Sequence, residues 1–426
     1  MQKYMRWSAI LAVLVLVLAA CQNGGGGTDP SPGDNGNGNG NGDGGAAEQC
    51  DADEFGCVEV AEGEPIILGT ALVISGPNST LGLDTQYGAQ VAAELRNEEG
   101  GVLGRQIEFD FQDDGCSAEG GTAAARALVS NPQVVAVIGT SCSSAGVPAA
   151  EITSEAGYTM VSPSNTAPSL TAEDTHQPFY ARTAHNDSVQ GAAMAEYACT
   201  ELGAESAATI HDGSPYAEQL QQVFADEFQE QCGGTITVQE AITVGQTDFS
   251  ALLESIGADA PDLLYYPIFV AEAALVTQQA AQTPGLENTQ LAGADAAFTQ
   301  DFVDAAGGTA EGMIMSGPDL EFAGSFYEET FKPKYTEISG EAQPIQVFHA
   351  HAFDAVNIVL AAIEEVGIEE GGTLYIPRTA LRDAVLGTSG HEGITGTLTC
   401  TETGDCADPA ISVSEVQDGE FVRIWP

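Results

Sequence analysis

The sequence feature that most constrains the fold is an apolar run at residues 134–138, Val-Val-Ala-Val-Ile, which small hydroxyl residues follow directly. A short, β-branched run without alternation is typical of a strand buried on both faces of a parallel sheet. Helical character resumes over 145–155. Residues 139–144 therefore lie where a strand's carboxyl end meets a helix's amino end, and free amides at such a corner can bind a carboxylate or phosphate without Lys or Arg.

A second loop of the same kind follows the next predicted strand, at residues 158–161. It carries Ser164, Asn165 and Thr166. Ligands bind open α/β sheets where adjacent strand ends face one crevice, so the two loops together indicate a binding site. Ser and Asn are also common helix caps, and for either loop alone that interpretation is equally supported.

Strands and helices alternate from residue 65 onward, which predicts an α/β fold with parallel sheets and helices on both faces. The pattern continues past residue 183 as a second α/β lobe, and we expect 313–318 to return the chain to the first. The predicted strands are 66–74, 106–111, 134–138, 158–161, 206–211, 235–243, 263–266, 411–416 and 420–424, and a further short unit starts at 290–293. The predicted helices are 84–97, 118–130, 145–155, 187–202, 216–231, 249–256, 271–282, 326–338, 347–366 and 378–385.

The amino end has the pattern of an export signal. Lys3 and Arg6 precede an apolar run at 9–18, and Leu-Ala-Ala before Cys21 resembles the lipobox of bacterial lipoproteins. A plain signal peptide or a short membrane anchor is the alternative. We assign residues 1–20 to the signal peptide and 21–64 to the lipidated cysteine and a Gly-rich flexible tether.

Charge and cysteine content narrow the function further. The formal net charge of −51 disfavours nucleic acid and anionic lipid headgroups as partners. Eight cysteines remain after Cys21, an even number that indicates disulfides in an exported protein. No Cys-x-x-Cys is present, so we predict no metal site. Sequence order suggests the pairs Cys50–Cys57, Cys116–Cys142, Cys199–Cys232 and Cys400–Cys406.

Residues 137–144, Val-Ile-Gly-Thr-Ser-Cys-Ser-Ser, and 162–170, Ser-Pro-Ser-Asn-Thr-Ala-Pro-Ser-Leu, resemble bacterial branched-chain amino-acid-binding proteins. These are type I periplasmic solute-binding proteins of ABC importers. Further similar motifs occur in the same order at 75–77, 113–116, 210–216, 248–252 and 310–313. The resemblance implies two doubly wound parallel-sheet lobes joined by a hinge. It divides the chain into lobe I, 65–182 with 317–396, and lobe II, 183–316 with 397–426.

The same resemblance implies a site for an amino acid. Ser143 would bind the ligand carboxylate through its hydroxyl and amide, and Asp295 would bind the ammonium group. Leu81 stands where the family has an aromatic residue, and the hydroxyl and amide at 164 and 165 would suit a more polar amino acid. The implied ligand-binding residues are Leu81, Ser143, Ser144, Ser164, Asn165, Thr166, Tyr216, Phe269 and Asp295.

The function that the resemblance implies is that of an extracytoplasmic, leucine-binding-type lipoprotein that delivers an amino acid to an ABC permease and its ATPase. We expect a monomer without cofactors, held by lipid at the outer face of the cell membrane or periplasmic. A ligand-sensing receptor ectodomain, or a binder of an amide or urea-like solute, is the alternative. Enzyme signatures are missing: the chain has no Gly-Lys-Ser/Thr phosphate loop and no Gly-x-Ser-x-Gly elbow.

Overall fold

A computed structural model describes residues 45–426, so the predicted signal peptide, Cys21 and tether residues 21–44 lie outside the described residues. The strands are β1 Cys57–Val60, β2 Ile66–Leu72, β3 Ile107–Asp113, β4 Val134–Gly139, β5 Met160–Ser162, β6 Tyr180–Arg182, β7 Ser206–His211, β8 Thr235–Ala241, β9 Leu263–Tyr265, β10 Gln290–Ala294, β11 Ile314–Pro318, β12 Ile368–Glu370, β13 Thr373–Pro377, β14 His391–Glu392, β15 Thr397–Leu398, β16 Ile411–Gln417 and β17 Glu420–Trp425.

Helices alternate with these strands along most of the chain. They are α1 Ala46–Ala52, α2 Ser79–Glu98, α3 Ala118–Val129, α4 Ser143–Glu155, α5 Asp187–Thr200, α6 Pro215–Cys232, α7 Ser250–Asp259, α8 Val270–Ala280, α9 Gln300–Ala306, α10 Lys332–Ser339, α11 His349–Val366 and α12 Arg378–Leu386. No helix within residues 45–426 combines the length and the apolar character needed to span a bilayer.

Two sheets form the two lobes, which confirms the predicted fold class. The sheet of lobe I has the order β3-β2-β4-β5-β6, and all of its neighbouring strands are parallel. The sheet of lobe II has the order β17-β16-β11-β10-β9-β7-β8. Its strands from β11 to β8 are parallel, whereas β16 and β17 join as an antiparallel hairpin.

Strand β4 lies inside lobe I and is buried along its whole length. Val134 and Val137 pack into the hydrophobic cluster on one face of the sheet, and Ala136 and Ile138 pack into the cluster on the other. Both faces are covered by helices, so no position of the strand has to be polar. This burial explains the unbroken apolar run in the sequence.

Residues 313–318 do not return the chain to lobe I, as the sequence led us to expect. They form β11 inside the sheet of lobe II, parallel to β10 and antiparallel to β16. The chain leaves lobe II only after Pro318, because Gly317 and Pro318 still pair with β16. The short apolar segment carried no signal that distinguished the two sheets.

The predicted tether is too long at its carboxyl end, because residues 45–64 are folded. Strand β1 pairs antiparallel with β13, and Val58 and Val60 are buried against lobe I. Asp53 accepts hydrogen bonds from the Thr379 amide at 2.8 Å and from the Thr379 hydroxyl at 2.8 Å, at the start of α12. The partners of this segment lie more than 300 residues away, so its local sequence could not reveal them.

The chain crosses between the lobes after β6, after β11 and after β15. Backbone hydrogen bonds join these crossings side by side: Arg182 donates to Gly404, Cys406 donates to Arg182, and Asp319 donates to Ala410. A crevice of about 280 Å³ lies among them and is lined in part by His185 and Asp319. These three hydrogen-bonded crossings form the hinge.

Four disulfides are present in the described part of the chain, and they are the pairs that sequence order suggests. They join Cys50 to Cys57, Cys116 to Cys142, Cys199 to Cys232 and Cys400 to Cys406.

Candidate ligand-binding site

A crevice between the two lobes brings most of the predicted ligand-binding residues together. It holds about 240 Å³ of empty space and is lined from both lobes. The strands of both sheets end toward it, which is where open α/β sheets bind ligands. Its lining residues are Leu81, Ser141, Cys142, Ser143, Ser164, Tyr216, Phe269, Asp295, Ala296 and Phe348.

One wall of the crevice is the amino end of α4 in lobe I. The amides of Ala145 and Gly146 donate to the Cys142 carbonyl, so the amides of Ser143 and Ser144 form the open end of the helix. The Ser143 hydroxyl accepts a hydrogen bond from the Ala167 amide at 3.2 Å and can still donate. The wall therefore offers a ligand carboxylate the dipole of α4, two backbone amides and one hydroxyl group.

The second loop of lobe I contributes Ser164 to the crevice but not Asn165. The Asn165 side chain is fully buried and bonds Thr140 twice, through Nδ2 to the carbonyl at 2.9 Å and through Oδ1 from the hydroxyl at 3.1 Å. Gly146 allows this approach, because a Cβ there would lie 2.3 Å from Asn165 Oδ1. Asn165 therefore fastens the two loops to each other and does not line the crevice, contrary to the prediction.

Ser144 also differs from its predicted role. Its hydroxyl donates to the Cys116 carbonyl at 3.0 Å, and its side chain is not part of the crevice lining. Only its backbone amide remains in position to contact a ligand.

The opposite wall comes from lobe II, where Tyr216, Phe269 and Asp295 follow β7, β9 and β10. Asp295 Oδ1 accepts hydrogen bonds from Gln190 Nε2 at 2.8 Å and from the Tyr216 hydroxyl at 3.0 Å. Across the lobe boundary, Gln346 Nε2 donates to the Asp295 carbonyl at 2.7 Å. Because both side-chain donors bind Oδ1, Asp295 Oδ2 remains available to a ligand.

A second carboxyl group, Asp187, lies beside Asp295 and was missed in the sequence. Oxygen atoms of the two carboxyl groups lie within 4.8 Å of each other. Asp187 is completely buried; within residues 45–426 its side-chain oxygens make no hydrogen bond of regular geometry, although the Thr166 hydroxyl is close enough to lower its pKa against the effect of burial. In the sequence Asp187 looks like an ordinary acidic residue in the first turn of α5, where acidic residues are common, so its position did not indicate a place in the binding site.

Thr166 lies behind the crevice lining, next to Asp187. The Asp187 amide donates to the Thr166 carbonyl at 2.9 Å. The Thr166 hydroxyl is buried; it makes no hydrogen bond of regular geometry among the described residues, but its interaction with the Asp187 carboxyl opposes part of the rise in the Asp187 pKa. Thr166 was predicted as a ligand contact; it lies close to the carboxyl pair but does not form part of the crevice lining.

Burial makes the two carboxyl groups reluctant to ionise. Desolvation raises the pKa of Asp295 to about 6. Desolvation, together with the charge of Asp295, raises the pKa of Asp187 well above its usual value. Without a cation, one of two buried carboxyl groups this close keeps its proton, whereas the ammonium group of an amino acid would let both ionise.

Apolar side chains enclose the space between the α4 amides and the carboxyl pair. Leu81, Phe269 and Phe348 line it, and the rings of Tyr216 and Phe269 lie 5.6 Å apart. Leu81 is smaller than the aromatic residue that the resemblance leads one to expect, so it leaves more room. These walls suit an aliphatic side chain.

A metal ion is the other cation that this cluster of groups would attract. His185, Asp187 and Asp295 each offer a ligand atom within 4.8 Å of the others. His185 Nε2 is already bonded to Gln190 Oε1, so only Nδ1 of this ring would be free for a metal. The neighbouring α4 amides and apolar walls also fit an organic zwitterion better than a bare ion.

Comparison with known proteins agrees with this geometry. Residues 65–420 match the family model described as periplasmic binding protein. A Leu/Ile/Val-binding protein homolog of Brucella melitensis is 28% identical over 361 residues, covering 84% of this chain and 93% of the relative.

Solved structures give the same result. A leucine binding protein from Thermotoga maritima aligns with a TM-score of 0.75 and 26% identity over 84% of this chain and 97% of its own. A branched-chain amino acid transporter substrate binding protein from Streptococcus pneumoniae, in complex with isoleucine, aligns with a TM-score of 0.72 and 25% identity over 85% of this chain and 100% of its own. The chain belongs to the periplasmic binding protein family, in its type I form, together with the branched-chain amino-acid-binding proteins of ABC importers.

Proposed function

We propose that this protein binds an amino acid with an aliphatic side chain between its lobes and delivers it to an ABC permease and its ATPase. The observation that carries the proposal is the polarity of the crevice. Open helix amides and Ser143 lie at one wall, and Asp295 lies at the other, with the buried Asp187 carboxyl beside it. An α-amino acid presents a carboxylate and an ammonium group that match these two ends.

Binding in this scheme is non-covalent. The carboxylate docks on the amino end of α4 in lobe I, and the ammonium group binds the carboxyl pair when lobe II closes. A micromolar dissociation constant corresponds to about −8 kcal/mol. Two or three charge-assisted hydrogen bonds of about 1.5–3 kcal/mol each, with burial of an aliphatic side chain, would supply much of it.

Delivery requires that the protein be exported and stay near the permease. We infer that Cys21 carries the lipid anchor and that the closed form, as a monomer, is what docks on the transporter. The lipobox-like sequence before Cys21 and the binding proteins of ABC transporters among the relatives support this. Membrane extraction of the wild type and of Cys21→Ala would test it, because only the wild type should require detergent.

The ligand class is tested by isothermal calorimetry on the purified protein after treatment with a chelator. We expect leucine, isoleucine or valine to bind with a micromolar or lower dissociation constant. 4-Methylpentanoate, which lacks the ammonium group, and 3-methylbutylamine, which lacks the carboxylate, should bind at least about 100-fold more weakly. Equal binding of either analogue, preference for an amide or urea, or loss of binding with the chelator would contradict the proposal.

Replacement of Ser143 by Ala is expected to weaken amino-acid binding about fivefold to tenfold. The change removes one hydrogen bond to the ligand, worth about 1 kcal/mol, and leaves the α4 amides in place. Calorimetry measures the loss. Ser144→Ala is the matched control, because that hydroxyl binds the Cys116 carbonyl outside the crevice and its loss should leave the affinity unchanged. An unchanged affinity in Ser143→Ala would remove this residue from the site.

Affinity is expected to rise with pH through about 6. Without ligand, burial holds the Asp295 pKa at about 6 and the Asp187 pKa well above its usual value. The ligand's ammonium group favours the ionised forms and lowers both pKa values in the complex, so binding releases protons. Affinity is therefore full above the unliganded pKa values and falls below them by up to tenfold per pH unit for each proton that binding releases.

Calorimetry at pH 6 in two buffers with different ionisation enthalpies measures this release directly. The apparent binding enthalpy should differ between the buffers, and in Asp295→Asn the difference should shrink. An affinity that stays constant from pH 5 to pH 8 would show that the pair binds no exchangeable proton.

A further inference from the structure

We propose that His185 is a positioning residue for ligand binding, which orients the ammonium-binding carboxyl of Asp295 through Gln190. The inference rests on the proposed function, because it concerns the same site. His185 itself does not line the ligand crevice.

The three side chains form a continuous hydrogen-bonded chain. His185 Nε2 contacts Gln190 Oε1, and Gln190 Nε2 donates to Asp295 Oδ1 at 2.8 Å. The exposed fraction is 1% for His185, 0% for Gln190 and 3% for Asp295, so bulk water has little access to the three side chains. A buried polar chain of this kind is stable only if every member has the correct donor or acceptor.

The orientation of the Gln190 amide follows from its neighbours. Its Nε2 also lies 3.1 Å from the Ser316 carbonyl, in addition to Asp295 Oδ1. A flipped amide would place Oε1 against these two oxygen atoms, and they would repel it. Gln190 Oε1 must therefore face His185, and His185 must present a hydrogen atom on Nε2.

The surroundings of His185 agree with a neutral ring protonated at Nε2. Its Nδ1 atom is buried and bonds no other residue in the described part of the chain. An unpaired ring acceptor is tolerated more easily than a buried, unpaired N–H group. Burial also lowers the pKa of His185 to about 4, so the ring is neutral at physiological pH.

The consequence for the site is that both side-chain hydrogen bonds to the Asp295 carboxyl group are made to the same oxygen atom. Gln190 and Tyr216 both donate to Oδ1, which turns Oδ2 toward the ligand. His185 belongs to the first crossing between the lobes, lines the hinge crevice and stacks on Phe348, with ring centroids 6.0 Å apart. His185 thus links the ammonium-binding carboxyl group to the hinge between the lobes.

Two substitutions test the donor role. His185→Phe keeps the ring and removes the donor, whereas the amide nitrogen of His185→Gln can replace Nε2–H. Calorimetry with leucine and with 2-hydroxy-4-methylpentanoate, which carries a hydroxyl in place of the ammonium group, separates ammonium recognition from general damage. We expect His185→Phe to weaken leucine binding about tenfold and binding of the hydroxy acid less than twofold. His185→Gln should restore most of the lost leucine affinity. Equal effects on both ligands, or no rescue by Gln, would overturn the inference.

The tautomer of His185 gives a test that does not depend on the ligand. The chain has six histidines, so the ¹⁵N spectrum of histidine-labelled protein is simple, and His185→Phe assigns the signal. We expect a neutral Nε2–H ring from pH 6 to pH 8, and an Nδ1–H or charged ring would overturn the inference. If no amino acid binds to the wild type, the proposed function fails, while the tautomer still decides the role of His185.

Discussion

Replacement of Asp295 by Asn is expected to weaken amino-acid binding about 100-fold and, at the same time, to stabilise the unliganded protein at neutral pH. The affinity falls because truncating one partner of a buried charge pair costs about 2–5 kcal/mol. Asn keeps the size of the side chain and can still accept from Gln190 and Tyr216. The loss therefore reports the missing charge rather than a cavity.

The gain in stability follows from linkage. The Asp295 pKa is about 6 in the folded protein and 3.8 as a free group, so the folded state holds the proton more tightly. The resulting stabilisation is complete below the unfolded pKa and is lost as the pH rises through about 6. Above pH 7 the wild type contains a buried, ionised carboxylate, which Asn removes.

Calorimetry of leucine binding and urea unfolding at pH 5 and pH 8 measure the two effects. The stability gain should be larger at pH 8 than at pH 5. Asp304→Asn, the same substitution at an exposed position in α9, should change neither quantity appreciably. An Asp295→Asn protein that binds leucine as tightly as the wild type would exclude Asp295 from the ammonium site.

Replacement of Arg182 by Met is expected to lower the free energy of unfolding by about 3 kcal/mol or more. The Arg182 side chain is fully buried and pairs with Asp405. It also donates to the Ala167 carbonyl at 2.8 Å and to the Thr171 hydroxyl at 2.6 Å. Removing the guanidinium group leaves these buried acceptors unpaired and the Asp405 carboxylate, which is 27% exposed, without its counter-ion, so we expect the lower end of the range of about 3–5 kcal/mol for buried pairs.

Ligand binding should also weaken in Arg182→Met, because the guanidinium group supports the loop that carries Ser164 and Thr166. Urea unfolding and leucine calorimetry provide both measurements. The double variant Arg182→Met/Asp405→Asn should recover part of the stability, since no lone charge remains. Arg96→Met is the matched control, because its ion pair with Glu364 is partly exposed and should contribute less than about 1 kcal/mol. Equal destabilisation by the two single variants would show that the buried pair has no special role.

Local sequence patterns were sufficient for the strands and helices that bury one continuous apolar surface. The predicted strand 206–211 coincides with β7, and 134–138 differs from β4 by one residue. Segments stabilised by distant partners were missed. Strand β1 depends on β13 and β6 on β5, and both are too short for periodicity to reveal them.

The residues of the binding site likewise divide into those that the sequence predicted and those that it did not. Ser143, Ser164, Tyr216 and Asp295 were predicted and line one crevice. Asn165 was predicted as a ligand contact, but its side-chain amide bonds Thr140 instead. Spacing along the chain does not determine whether such an amide bonds the ligand or a neighbouring loop. Asp187 was missed, because only the three-dimensional arrangement shows that its buried carboxyl group lies beside that of Asp295.

The backbone hydrogen bonds between the three crossings limit how the molecule can deform. Arg182, Gly404 and Cys406 are held edge to edge, as are Asp319 and Ala410, so one lobe cannot easily twist or slide against the other. Bending is the motion that leaves these bonds intact. All ligand-bound molecules should then have the same outer shape. A partner that binds the outer surface can therefore distinguish the bound form from the free form without contacting the ligand.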